Sequence, residues 1–229
     1  SIVGLPDDYE EDLDPEDRGG DWTPVKVFAV GEVIPREEAR ISLTHVYEKC
    51  LLPLVEQYNV AYFVSDRWNN AKIASDLENT HSVEPIEWKA KWPDFECLRD
   101  LVYSGNIEFP KLENSMETIL ETTLDNYPEV FRKNPIDHLF YQLATVKESS
   151  GVTVLKGDGT TDDIFRTIVL GCALIQEEDI YEYLITHRIG YMDNNKAALG
   201  VVGRLTGSKS TSGGLSTQGR GIGVVARGR

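Results

Sequence analysis

The chain has 229 residues, 41% of them hydrophobic and 27% charged, with a formal net charge of −15 at pH 7. That length suits one domain, or one domain with a tail, and supplies enough apolar side chains for a sizeable core. The acidic balance argues against a protein that coats nucleic acid by bulk attraction, and no apolar run approaches the ~20 residues a bilayer crossing needs.

Residues 1–24 open with the apolar piece Ser1-Ile2-Val3-Gly4-Leu5, fit for a short strand. An acidic loop follows, with nine acids between Asp7 and Asp21 against Arg18 alone, broken by Pro6, Pro15, Gly19 and Gly20. Such a start is unlike a secretory signal. Residues 25–34 are rich in valine and alternate over part of their length, which predicts a strand. Pro35, with Glu37 and Glu38 behind it, predicts the start of an amphipathic helix to about residue 58, kinked at Pro53. Its apolar stripe is Ile41, Leu43, Val46, Cys50, Leu51, Leu54 and Val55.

Residues 60–64 form a near-continuous apolar run, the pattern of a strand buried on both faces. A helix over about 69–77 and a strand over 83–88 come next, so strand, helix and strand alternate and parallel pairing is expected. Further helices are predicted over 94–103, closed by Ser104-Gly105, and over 115–123 and 135–147, with a short extended piece at 107–110. A strand over 152–156 and a turn at Gly157-Asp158-Gly159 lead to a helix opened by Thr161, and a last helix spans 177–186. The main domain is thus expected over 25–192. Residues 193–229 turn to Gly, Ser and Thr with six bases (Lys196, Arg204, Lys209, Arg220, Arg227, Arg229) and read as a flexible cationic tail.

Cys50, Cys97 and Cys172 are widely spaced in apolar contexts and read as reduced core residues of a cytosolic protein. His45, His81, His138 and His187 show no metal-ligand spacing and read as structural or surface residues. The acids are more informative. Ala61-Tyr62-Phe63-Val64-Ser65-Asp66-Arg67-Trp68 is a strand ending in an aspartate, which places Asp66 at the rim of a sheet. Thr161-Asp162-Asp163-Ile164-Phe165-Arg166 puts two more carboxylates in the first turn of a buried helix. Singly, each is a plausible cap or turn former. Together, each preceded by an apolar strand, they read as a rim-facing set of the kind that magnesium-dependent phosphodiester cleavage requires.

The ordered pieces resemble the C-terminal nuclease domain of tailed-phage large terminases, the DNA-packaging motor subunit. The resemblance spans about residues 25–185: Asp66-Arg67-Trp68 after its strand, a helix from Trp92, then Tyr-Ser-Gly-Asn-Ile and a short strand ending Phe109-Pro110, a helix ending Gln142-Leu143, the strand to Lys156, and the Asp162-Asp163 helix. It implies an α/β, RNase H-like mixed sheet flanked by helices, and two-metal cleavage of concatemeric double-stranded DNA. Two magnesium or manganese ions ~4 Å apart would be held by three acids. Asp66 matches the second acid, Asp163 the third, and Asp162 a helper. Arg67, Lys72 and Lys156 are near enough in sequence to meet DNA phosphates, and each reads equally as a solvated charge. The resemblance further implies work in the cytoplasm of an infected host cell, at the procapsid, beside the terminase ATPase part, the portal and the small terminase subunit.

The family's first acid lies on a first, central strand that precedes a hairpin. Here only residues 1–5 and 25–34 precede the long helix, so that strand and its aspartate are missing from this chain. Two substitutes are open: a partner polypeptide carrying the ATPase part, which we favour, or Glu32. No Gly-x-x-x-x-Gly-Lys-Ser/Thr occurs, so P-loop ATP hydrolysis is not expected. Another RNase H-like nuclease such as a junction resolvase, and a non-catalytic packaging-motor assembly module, are the competing readings.

Overall fold

The β-branched runs of the sequence become strands of one mixed sheet in the computed structural model. It describes residues 1–6, 9, 22–37, 39–58, 60–65, 71–111, 115, 117, 120, 124, 127–149, 153–155, 163–189, 200–205 and 220–226. The first strands are β1 (Ile2–Gly4), β2 (Val25–Ala29) and β3 (Val33–Pro35). The expected single strand over 25–34 thus breaks in two around Gly31 and Glu32.

The long helix starts later than Pro35, which belongs to β3. Helix α1 (Leu43–Val46) is capped by Ser42, whose side chain accepts from the His45 N–H at 3.4 Å. The helix then widens into a π-helical turn (Tyr47–Leu51) before α2 (Leu52–Tyr58). Pro53 is the physical reason: it has no N–H to offer the carbonyl four residues back, and a π turn beside it absorbs the mismatch.

Strand β4 (Val60–Ser65) is buried at every position and pairs in parallel with β5 (Glu84–Glu87), joined by α3 (Ala71–His81). The parallel pairing read from strand–helix–strand order is present. Helix α4 (Trp92–Ser104) ends on Gly105, whose φ of 74° is the left-handed conformation that favours glycine. It is followed by β6 (Ile107–Glu108), parallel to β2. The helix expected over 115–123 falls mostly outside the described residues. Sequence reading passed over β7 (Glu129–Phe131), which pairs antiparallel with β3. Next come α5 (Pro135–Thr145), the separate hairpin of β8 (Lys147–Ser149) and β9 (Thr153–Leu155), α6 (Asp163–Ile175) and α7 (Glu178–Ile189).

The largest difference from expectation is at the C-terminus. Within the stretch read as a flexible tail, β10 (Gly200–Leu205) and β11 (Arg220–Ala226) form a hairpin in the middle of the sheet. The order is β5-β4-β11-β10-β1-β2-β6, with β3 joined to β10 and β7. Val201-Val202 and Ile222-Gly223-Val224-Val225 supply the β-branched character, which the surrounding glycines and serines hide in a composition count.

The sheet separates two apolar layers. Val3, Tyr62 and Val64 pack with α4, α5, α6 and α7, while Ile2, Phe63 and Ala29 pack with α1, α2 and α3. Alternation of side chains along each strand sends successive residues to opposite faces. The molecule is mixed α/β, with helices on both faces. Among the described residues no helix is long and apolar enough to cross a membrane.

Candidate active site

The ladders establish which groups share a rim. Ile2 pairs with Val201, Val201 with Val224, and Val224 with Phe63, so Ile2 and Phe63 lie level across the sheet. Every one of these pairings is antiparallel, so β1 and β4 run in opposite directions, and Ser1 and Ser65 point toward the same rim. The facing ends of β10 and β11 lie at that rim, where Leu205 pairs with Arg220 beyond the level of Gly203, Ile222 and Ser65.

Helix α6 crosses beneath these strands. Near its start Thr167 Oγ1 lies 3.2 Å from Ser1 Oγ. Past its end, the Gln176 side chain bonds both backbone groups of Thr23, at 2.9 and 3.1 Å, on the opposite rim. Asp163, one turn ahead of Thr167, is therefore on the rim where β4 ends.

Why the chain begins a helix there is visible in its contacts. Phe165 N–H donates to Gln142 Oε1 at 2.8 Å, so a side chain of α5 satisfies one of the free donors of the first turn. Asp163 is 4% exposed and sits at the positive end of the helix dipole, where a carboxylate is favoured. Phe165 stacks near Phe95 at 5.8 Å, and the Arg166 guanidinium lies 5.5 Å from the same ring. These contacts from α4 and α5 fix the helix start, and with it the Asp163 backbone.

A second buried carboxylate approaches the same end. Glu32 is 2% exposed, and Val33 pairs with Leu205 at the hairpin's rim end. Arg132 grips both Glu32 oxygens, through Nε and, at 3.2 Å, through Nη2. His138 Nε2 lies 4.0 Å from Glu32 Oε2. Burial, and then the Arg132 charge, push the His138 pKa below its ordinary value, while Glu32 pulls the other way. His138 and Gln142 are four residues apart, on one face of α5. One helix face thus connects the Glu32 pair to the start of the Asp163 helix. With its charge already matched by Arg132, Glu32 is a poor candidate for a metal ligand.

Glu129, fully buried, lies on the opposite face of the β3–β7 ladder from Glu32 and receives the Ser42 N–H at 3.3 Å. His45 Nδ1 is 3.2 Å from Glu129 Oε1, yet neither of these atoms makes a hydrogen bond, so proximity rather than alignment defines this pair. The thiols offer no nucleophile: burial pushes Cys50 and Cys97 up to about 12 and Cys172 well above its usual value.

Of the residues singled out in the sequence, Asp163 stands at the rim and Lys72 is exposed in the first turn of α3. Asp66, Arg67, Asp162 and Lys156 lie outside the described residues; Ser65, immediately before Asp66, marks where β4 ends. Among the described residues no group of three or more His, Cys, Asp and Glu side chains could hold a metal ion. Asp163 shares that rim with Glu87, which pairs with Ser65 at the end of β5. Arg132, His138 and the capping role of Gln142 were missed. A glutamine on the apolar face of a helix that also carries Ile136 and Leu139 was the available signal for the last. No protein-family model, curated protein or solved structure matches this chain.

Proposed function

We propose that the chain is the nuclease part of a tailed-phage genome-packaging terminase, RNase H-like in fold, cutting concatemeric DNA with two magnesium or manganese ions, and completed by a partner polypeptide. One observation carries this reading: β1 and β4 run in opposite directions on either side of the C-terminal hairpin, and Asp163 stands on the rim where β4 ends. A single strand placed between β1 and β4 would run antiparallel to one and parallel to the other, and in one of its two orientations antiparallel to β1 and parallel to β4. With β2 antiparallel to β1 and β5 parallel to β4, the five strands would then have the directions of a sheet whose first strand is central and precedes a hairpin.

Asp163 would offer a carboxylate oxygen to a metal, its helix start fixed by Gln142 and its charge favoured by the helix dipole. Asp66 and Asp162 are the other proposed ligands from this chain. Bound ions of this kind activate water and stabilise the leaving oxygen. Lys72, and with it Arg67 and Lys156, would meet DNA phosphates. The proposed partners are double-stranded DNA, the ATPase-bearing part of the motor, the portal and the small subunit.

Manganese-dependent plasmid cleavage tests the reading, with the full chain, its Asp163→Asn variant, and each again with a candidate ATPase-bearing chain. Cleavage that needs the partner and is lost in the variant is the expected result. Cleavage by the chain alone, lost in the variant, would show that the site is complete here and would remove the shared-site element. Silence in every condition would overturn the nuclease reading in favour of an assembly module.

A further inference from the structure

We propose that the exposed face of α5, with Phe140 at its centre, holds the bases of an unpaired DNA strand by stacking, beside the rim that carries Asp163. That the strand is one being cut there rests on the nuclease reading above, whereas the stacking face stands on its own geometry.

Its position follows from the ladders. β6 is the edge strand, parallel to β2, and β2 is antiparallel to β1, so β6 runs toward the rim from which β1 starts. Phe109 follows β6, and its ring meets the Phe140 ring edge-on with centroids 5.5 Å apart. Farther along α5, Gln142 reaches Phe165, two residues past Asp163 in the first turn of α6. Phe140 and Tyr141 thus lie between a contact to the end of β6 and a contact to the start of the Asp163 helix.

The exposed stripe of α5 is Asp137, Phe140, Tyr141 and Ala144, opposite the buried Ile136, Leu139 and Gln142. An amphipathic helix ordinarily sets polar side chains on such a stripe. Here Phe140 is 46% and Tyr141 51% exposed. The edge contact with Phe109 steadies the Phe140 ring before anything binds, so less side-chain freedom remains to be lost.

Ring chemistry and charge select the occupant. The chain carries a net −15, yet the exposed Lys133 and Lys147 flank α5 and the exposed Lys111 follows Phe109 by two residues. Asp137 opposes them on the stripe, while Glu108, beside Phe109, is matched by Lys26 at 3.5 Å. Open aromatic rings edged by cations suit a single strand, whose bases stack on the rings while its phosphates meet the ammonium groups. A duplex keeps its base faces inside its own stack. An apolar partner helix would draw nothing from the lysines. At ~16 Å, α5 is long enough for about four nucleotides.

Fluorescence anisotropy on the full chain tests this, with a labelled oligothymidylate of about 20 nucleotides and a duplex of the same length, in EDTA and low salt. The single strand should bind more tightly than the duplex. Phe140→Ala should weaken its binding about tenfold, and Phe140→Trp should keep it. Lys147→Gln should make the affinity less dependent on salt. Absence of binding, a preference for the duplex, or equal affinity in Phe140→Ala would each overturn the proposal. So would displacement of the strand by polyglutamate as readily as by unlabelled oligothymidylate, which would assign the face to an acidic protein segment. Urea midpoints of the variants show that each is folded when its binding is read. Because EDTA removes any metal, these results stand apart from plasmid cleavage: binding without cleavage activity would sink the nuclease reading alone, and cleavage without binding would sink the stacking face alone.

Discussion

A carboxylate buried as deeply as Glu32 needs a fixed counter-charge, and Arg132 supplies it from one hundred residues away. Removing the cation alone leaves an uncompensated charge, which costs far more than the pair itself contributes. Arg132→Met should therefore destabilise the protein by about 3 kcal/mol in urea unfolding, and Glu32→Gln in the same chain should recover much of it. An unchanged midpoint in Arg132→Met would show that Glu32 is neutral or hydrated. The neighbouring His138 carries a pH signature. Its pKa is lowered by burial and by Arg132, so the folded state binds fewer protons than the unfolded state between the depressed value and ~6.5. Stability from this residue is present above the unfolded value and falls as pH drops through that window. His138→Gln should flatten the dependence of stability on pH there, and an unaltered slope would assign it to other groups. None of this was legible in the sequence, where Glu32 looked available because nothing local names Arg132 as its partner. The cysteines were legible, since their apolar neighbours announce burial; all three are buried and free.

Helix α6 shows what a single element discloses. Twelve of its thirteen residues are buried, as its nearly unbroken apolar run predicts. Its first described residue, Asp163, falls within the predicted start, whereas the means of holding that start lies on another helix. Gln142 accepts the Phe165 N–H inside the core, so Gln142→Leu should leave a buried donor unsatisfied and cost about 2 kcal/mol. Gln142→Glu keeps an acceptor beside the helix dipole and should cost less; equal losses in both would mean that side-chain packing, not the cap, is what Gln142 provides. The same contrast between local and remote causes explains the long helix. Pro53 was visible and a kink there was expected; the structure has a π-helical turn, Tyr47–Leu51, just ahead of it. The start at Leu43 rather than Pro35 depends on β3 pairing with β7, a contact nearly a hundred residues off in sequence. Helices closed by local signals, such as Gly105, were placed well; strands of three residues, such as β7, offer too few positions for a period to show.

At the scale of the whole molecule, strand directions were partly readable and strand neighbours were not. The order strand, helix, strand gave the parallel β4–β5 pair, but nothing in residues 200–205 and 220–226 says that they lie between β1 and β4. The C-terminal hairpin occupies the centre of the sheet and belongs to the fold as much as the segments around it. Each buried edge carries backbone donors and acceptors that water cannot reach, so an empty slot would leave β1 and β4 with unpaired ladders. Ending the chain at residue 199 should therefore do more than remove a tail. The truncated protein should elute as dimers or larger species in size-exclusion chromatography with light scattering, as the exposed edges pair between copies. Adding residues 200–229 as a separate peptide should return part of it to monomer. A truncated chain that stays monomeric, with β4 amides as protected as in the full chain, would show that the sheet closes without the hairpin. The edges that face solvent differ in this respect: β5 carries Pro85 between Glu84 and Ile86 and ends on Glu87, which discourages another strand from pairing there. Association in the truncated chain should accordingly run through β1 and β4, and charge-reversal at Glu84 and Glu87 should leave it unchanged.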